Sequence, residues 1–441
     1  MANGTQSRSF LDRTFALTEH GTNARTELIA GVTTFMTMAY ILVVNPLILQ
    51  DAGMDFGAVF TATAVSSVIA ILVMAFWAKL PFALAPGMGL NAFFAYTVVL
   101  GMGHSWQFAL TAVFLEGIIF LFLTWFNVRE AILNSIPINV KRGISVGIGL
   151  FIAFIGLVNS GIVVKPEAPK LLVELGDVKQ GGALLAVIGL VITGLLMAKK
   201  VKGALLLGII ATTIIGIPMG VTNIPENFSA MSKPPTPNLF QFEFGSIFTF
   251  DMLIVLLTFL FVDMFDTVGT LIGVSAKAGF LDEEGRLPQA KPALFADAVG
   301  TTVGACMGTS TVTTYVESAA GVAEGGRTGL TSLTVGFFFA IALLFSPLFT
   351  LIPSAATAPA LVMVGLFMMS PILDVDLEDY TEAIPAFLTV IMMPLTYSIA
   401  EGIVFGVVSF AALKLLTGRG KEVYAVTYII AILFVLKFFL N

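Results

Sequence analysis

The 441-residue chain is written as long apolar runs separated by short polar loops. Eleven runs read as membrane spans: 26–46, 57–78, 107–127, 143–160, 183–198, 203–218, 247–275, 329–350, 355–371, 383–397 and 398–416. A helix needs about 20 mainly apolar residues to cross a bilayer. Three further stretches, 87–101, 293–306 and 316–326, are too short or too glycine-rich to be ordinary spans and read as interrupted ones. The pattern predicts fourteen crossings. A last apolar run, 423–440, contains Lys437 and suits either another span or an interfacial helix.

Charge placement tests that count. With the N-terminus inside, seventeen of the 22 Lys and Arg residues fall on the cytoplasmic side. Lys165, Lys170, Lys179 and Lys233 fall outside, and Lys437 is unassigned. This is the bias that orients membrane proteins. The acidic loop 374–382 is no objection, because acids contribute little to orientation. Residues 1–24 are polar and lack the apolar core of a signal peptide, so they read as a cytoplasmic segment. Loop 221–245, which contains MSKPPTPN, reads as an irregular connection between two halves.

The halves look related. A shift of 226 residues sets Thr37 and Tyr40 against Asp263 and Asp266, Asn91 against Glu317, and Gly53 against Gly279. Seven spans per half is an odd number, so the second copy is expected to be inverted in the membrane. The third segment of each half carries a further sign: FALAP (82–86) precedes GMGLNAFF, and GTSTVTTY (308–315) precedes VESAAGVAEGG. Each is a β-capable stretch followed by a glycine-broken short helix. Bare backbone in a bilayer must be buried in protein or line a cavity, so the two stretches are expected to pair. Half-helix N-termini, with free N–H groups and partial positive charge, then aim at one point. Paired interrupted segments are a pointer to a transporter's midplane site.

Composition agrees with a membrane protein: 57% of residues are hydrophobic and 11% charged. A lone Cys306 excludes an internal disulfide or a cysteine metal cluster. His20 and His104, the only histidines, are too few and too far apart for a histidine metal site. The net charge of −6, with no basic run, gives no sign of nucleic-acid binding. No HExxH and no Ser-His pair beside a glycine elbow is present, which argues against an enzyme.

The chemistry concentrates in 256–275, LLTFLFVDMFDTVGTLIGVS. Asp263 and Asp266 are three residues apart, hence on one helix face. An ionised carboxylate at mid-membrane costs about 2.5–3.5 kcal/mol on insertion scales and usually faces a cavity or the bundle interior. A structural ion pair is the plainer alternative. With Glu317 after the second broken stretch, Asp266 and the strand main chain form a compact polar site suited to a flat heterocycle with alternating donors and acceptors. A channel, or an anion transporter of related fold, is the rival reading; two central carboxylates weigh against an anion site.

GVTTFMTMAYILVVNP (31–46), APGMGLNAFFAYTVVLGMG (85–103), TFLFVDMFDTVGTL (258–271), GTSTVTTYVESAAGVA (308–323) and PAFLTVIMMPLTYSIA (385–400) carry a family likeness. Over nearly its whole length the chain resembles the AzgA-like purine nucleobase permeases of the nucleobase–cation symporter-2 group. The resemblance implies an all-α polytopic fold of two inverted seven-helix repeats, with short β-stretches in helices 3 and 10. It implies a core domain (25–128 and 247–352) and a gate domain (129–220 and 353–418). Residues 1–24, an outside loop 221–246 and a C-terminal apolar helix 419–441 complete the division.

The family moves nucleobases, usually with protons, so a hypoxanthine and guanine importer of the inner membrane is expected, with adenine as the alternative. Partners are then the base, protons and the lipid bilayer, with room for a homodimer and no cofactor. The group's acidic residue of helix 8 falls on Asp266 of Asp266-Thr267-Val268-Gly269. Its helix-10 pattern falls on Thr313-Thr314-Tyr315-Val316-Glu317-Ser318. Asp replaces the usual Glu in helix 8, Ser318 replaces Asn, and Val316 stands where glycine is common. The implied substrate set is Asp266, Glu317, Phe82, Ala83, Thr313, Val316, Asn91 and Phe94, with Phe93 a further stacking candidate. Asp266, Glu317 and Asp263 are the proton-coupling candidates. Asp297 and Glu116 are expected to be structural.

Overall fold

Asn23 accepts a hydrogen bond from Thr26 N at 3.0 Å and opens a helical span that runs, with one break, to Asp51. Thr249 does the same for Met252 N at 3.2 Å and opens Phe250–Ala278. Gly53, with φ +87°, closes the first, and Gly279, with φ +70°, closes the second. Both pairs are 226 residues apart. The caps thus repeat the register of the two halves, since an N-cap side chain and a left-handed glycine are what helix ends require.

The computed structural model describes residues 10–126, 138–166, 173–226, 228–283 and 286–440; Arg8, Arg129 and Lys170 of the charge pattern lie outside them. The first half comprises α1 (Phe10–Phe15), α2 (Ala24–Met38), α3 (Ile41–Asp51), α4 (Phe56–Val73), β1 (Leu84–Pro86), α5 (Met88–Ala92), α6 (Trp106–Trp125), α7 (Ile138–Asn159), β2 (Val163–Val164), β3 (Glu174–Leu175), α8 (Gly181–Ala198) and α9 (Ala204–Gly216). The second comprises α10 (Phe250–Ala278), α11 (Ala290–Met307), β4 (Val312–Thr314), α12 (Ser318–Ala323), α13 (Gly329–Ala342), α14 (Ser346–Thr350), α15 (Ser354–Met368), α16 (Tyr380–Thr396), α17 (Ile399–Leu416) and α18 (Ala425–Leu440). Nine helical stretches among the described residues are long and apolar enough to cross a bilayer. The shorter and broken segments fill the remaining places of the fourteen-span pattern. This is a multi-pass membrane protein. Large side chains such as Phe122, Leu195, Phe337 and Phe387 point outward, as lipid allows.

The strands of the third and tenth spans pair antiparallel as expected, with Leu84 opposite Thr314, Ala85 opposite Thr313 and Pro86 opposite Val312. Four features were not legible beforehand. Span 1 breaks at Ala39–Tyr40, and wide π-turns extend α4 over Met74–Ala78 and α5 over Phe93–Gly101. β2 and β3 form a small ribbon between α7 and α8. The N-terminal segment carries α1, whose Asp12 accepts from Thr18 N at 2.7 Å.

Two packing groups stand out. α11 lies on α6 and α4, α13 on α2 and α4, and α12 on α2 and α10. Separately, α7 lies on α15 and α16, α16 on α17, and α9 on α8 and α15. Gly149 of α7 and Gly365 of α15 face each other so closely that a Cβ on Gly365 would reach the Gly149 carbonyl oxygen at 2.4 Å. Small residues at a membrane helix contact permit this approach. α9 on α2 and α5 on α7 join the groups. At the far end of the second group, Arg419 bonds Asp379 and Glu422. Its guanidinium holds the Glu422 carboxyl down at about 2 and Asp379 below the usual carboxylate range.

Glu27 ties the first group together. It is 0% exposed, and its carboxylate accepts from Arg327 N (2.9 Å), Thr328 N (3.2 Å), Thr331 N (3.2 Å) and the Thr331 hydroxyl (2.6 Å). It caps the N-terminus of α13 from another span, where donors lack helical partners and negative charge is favoured. Glu27→Ala should destabilise the purified protein by about 3 kcal/mol or more, since hydrogen bonds to a charged group contribute roughly 1.5–3 kcal/mol each. Thermal unfolding in detergent measures this, and an unchanged Tm would refute the trans-capping role.

Candidate functional site

The site is built where the two broken spans cross. Antiparallel pairing uses the inner edges of β1 and β4 and continues beyond them: Tyr315 N donates to Ala83 O at 2.9 Å and Gly87 N to Thr311 O at 3.0 Å. Ala83 N donates to the Ser318 hydroxyl at 3.0 Å, so both main-chain groups of Ala83 are committed. The Tyr315 hydroxyl donates to Pro86 O at 2.5 Å.

The hydroxyls leading into β4 are each held by a different span. Thr309 takes Asn45 Nδ2 at 2.8 Å, Ser310 donates to Asn91 Oδ1, and Thr311 donates to Glu116 Oε2 at 2.6 Å. Thr301 donates to Val312 O at 3.0 Å, and Thr313 shares a 2.6 Å hydrogen bond with Thr267. A stretch with so few ladder bonds keeps its shape because its side chains are bonded all round. Glu116 is thus bonded to the stretch before β4 and not to another helix, while Asn91 Nδ2 has no hydrogen-bond partner among the described residues.

Gly87 is required at the crossing. A Cβ there would stand 2.7 Å from Thr313 Cγ2 and 3.6 Å from Asp266 Oδ2. The same distances bring the Asp266 carboxylate against the start of α5. Asp266 is half-buried and within electrostatic reach of both Asp263 and Glu317. Glu317 is half-buried too, and its Oε1 accepts the Tyr40 hydroxyl at 2.7 Å.

The two acids of α10 have separate surroundings. Asp263 is 0% exposed and accepts the Thr267 hydroxyl at 2.9 Å. That hydroxyl is also 3.2 Å from both carboxylate oxygens of Asp297, which is likewise enclosed. One hydroxyl proton serves one carboxylate at a time. Asp263, Asp297, Thr267 and Thr313 thus make a closed polar cluster behind the strands, while Asp266 faces forward.

The other predicted residues divide the same way. Val316, 49% exposed, is the most open of the set. Phe82, Phe93 and Phe94 are fully enclosed by protein; the Phe82 ring lies 6.2 Å from Phe280, and Phe93 stands edge-on to Phe259 at 4.7 Å. At span 10 the N–H groups of residues 318–320 already bond the carbonyls of residues 315–317. Free main-chain donors are therefore to be sought at the start of α5, where Gly87 provides no side-chain cap. Tyr40 was absent from the predicted set; its signal was the 226-residue shift that lays it on Asp266. Among the described residues no cluster of His, Cys, Asp and Glu is placed to hold a metal ion.

Comparison with known proteins adds what geometry cannot. Residues 25–405 match the Xan_ur_permease family, a permease family. The chain is 44% identical to the guanine/hypoxanthine permease PbuG of Bacillus subtilis (strain 168), over 96% of this chain and 98% of that one. It is 43% identical to the adenine permease AdeP of Escherichia coli (strain K12), over 98% and 97%. Among solved structures, the transmembrane domain of the cyanobacterial bicarbonate transporter BicA superposes with a TM-score of 0.68 at 17% identity, covering 86% of this chain and 97% of that one. That likeness is one of fold.

Proposed function

This chain belongs to the Xan_ur_permease family of permeases, and from that premise we propose that it imports purine nucleobases by proton symport. The observation that carries the reading is the meeting of two half-buried carboxylates, Asp266 and Glu317, at the crossing of two paired broken spans. The base is held by its ring N–H groups on those acids and by main-chain donors at the start of α5. It passes through without chemical change. Hypoxanthine and guanine are the first reading of the substrate; adenine is the second, favoured by the 43% identity to AdeP.

Alternating access moves the group containing the strands against the group of α7, α8, α9, α15, α16 and α17. The sparse joints between the groups support this core-against-gate division. The protein sits in the inner membrane with its N-terminus in the cytoplasm, as the basic residues favour.

Uptake of labelled hypoxanthine into vesicles tests the reading. It should saturate, be competed by unlabelled purines, rise as outside pH falls, and collapse when a protonophore dissipates the gradient. Replacing Na⁺ with K⁺ should leave it unchanged. Absence of saturable uptake of all three purines would overturn the function. Uptake that requires Na⁺ and ignores the protonophore would overturn the coupling alone. Competition by hypoxanthine, guanine and adenine ranks the substrates.

A further inference from the structure

We propose that Tyr40 is a positioning residue of the purine site, fixing the Glu317 carboxylate in the orientation that receives the base. The proposal rests on the purine reading above. Tyr40 stands at the break between α2 and α3 and is 1% exposed. Its hydroxyl donates to Glu317 Oε1 at 2.7 Å, joining residues 277 apart in sequence. A glutamate side chain has several rotamers open to it. The bond from Tyr40 narrows that choice, which lowers the ordering cost when a ligand arrives.

The internal repeat gives this contact a meaning. One shift of 226 residues lays Tyr40 on Asp266 and Asn91 on Glu317. A donor on span 1 and an acceptor on span 10 therefore correspond to a donor on span 3 and an acceptor on span 8. The first pair, Tyr40 and Glu317, is joined. In the second, Asn91 is 0% exposed with Nδ2 unpartnered among the described residues, and Asp266 is half-buried with its carboxylate turned toward the Gly87 crossing. The closed pair makes Glu317 a fixed acceptor; in the other pair Asp266 is left as an acceptor at the Gly87 crossing. Tyrosine suits the closed pair because its hydroxyl donates to a carboxylate without adding a further negative charge to a site that already holds Asp266.

The titratable groups facing Glu317 are Tyr40 at the span 1 break, Asp266 and behind it Asp263 from α10, and Tyr315 from its own segment. Tyr315 donates to the Pro86 carbonyl, not to the carboxylate, and supplies an internal control.

The test compares the wild-type protein with Tyr40→Phe and Tyr315→Phe, each full-length and reconstituted in vesicles. Hypoxanthine binding at equilibrium and uptake against pH are read for all three. Tyr40→Phe should weaken binding about tenfold or more, the usual size for losing a hydrogen bond to a charged group. It should also raise the pH of half-maximal uptake, because a hydrogen bond to a carboxylate favours its charged form. Tyr315→Phe should lower uptake without moving that pH. If Tyr40→Phe does not purify folded, 3-fluorotyrosine at position 40 replaces it; this stronger donor, still protonated near neutral pH, should lower the pH of half-maximal uptake. Wild-type protein that binds hypoxanthine, with an unmoved midpoint and unchanged affinity at position 40, overturns the role of Tyr40 and leaves the purine reading standing. Wild-type protein that binds neither hypoxanthine, guanine nor adenine overturns both.

Discussion

Glu317→Gln should reduce purine uptake about 100-fold or more while leaving the protein folded, inserted and normal in amount. The substitution keeps the shape of the side chain and removes its charge. A site that accepts ring N–H groups on a carboxylate then loses hydrogen bonds that contribute roughly 1.5–3 kcal/mol each, and about 1.4 kcal/mol is a tenfold change. The amide also presents a donor where only an acceptor is wanted, so the base meets repulsion as well as a weaker partner. Folding should survive, because Glu317 is half-buried and Tyr40 can still donate to the amide oxygen. Initial uptake rates, normalised to the amount of inserted protein, are the measurement. Near wild-type uptake by a well-expressed variant would remove Glu317 from the site.

Asp266→Asn and Asp263→Asn should separate, although the two residues are one helical turn apart. Asp266 faces the Gly87 crossing, and its loss should weaken equilibrium binding of hypoxanthine about tenfold to 100-fold, the cost of one or two charged hydrogen bonds. Asp263 is enclosed with Thr267, Asp297 and Thr313. Asp263→Asn places a new donor in that closed cluster. It should lower thermal stability or coupling to the proton gradient while costing less hypoxanthine affinity than Asp266→Asn does. Binding isotherms and melting curves on the same preparations decide the matter. Lost binding in Asp263→Asn with intact binding in Asp266→Asn reverses the assignment of the two carboxylates.

Much of this architecture is written locally. Apolar length, helix caps at Asn23 and Thr249, left-handed glycines at Gly53 and Gly279, and the placement of basic residues need only near neighbours or the bilayer itself to act. Span number and the repeat are therefore legible from the residues in order. So is the pairing of two β-capable stretches, since exposed backbone has nowhere else to go inside a membrane. The carboxylates Asp263, Asp266 and Glu317 announce themselves because charge in an apolar run has a cost that demands a reason.

What the chain order could not decide is which side of each element meets which partner. Asp263 and Asp266 share a helix face by spacing, yet a three-residue step turns the side chain by about 60°, as 3.6 residues make a turn. The packing of α11 and β4 against α10 converts that small rotation into two environments, one closed around Thr267 and one facing the Gly87 crossing. Phe82, Phe93 and Phe94 look like stacking residues by position, but burial against Phe280 and Phe259 is a property of the folded neighbours. The hydrogen bond from Tyr40 to Glu317 joins residues 277 apart, and no local pattern encodes it. Composition and periodicity determined a fourteen-span repeat with acids at its centre, because hydrophobicity and helix geometry act on the chain one segment at a time. Tertiary packing alone decided which acid is open, which hydroxyl holds it and which aromatic rings are enclosed, because those relations exist only after distant segments share a volume.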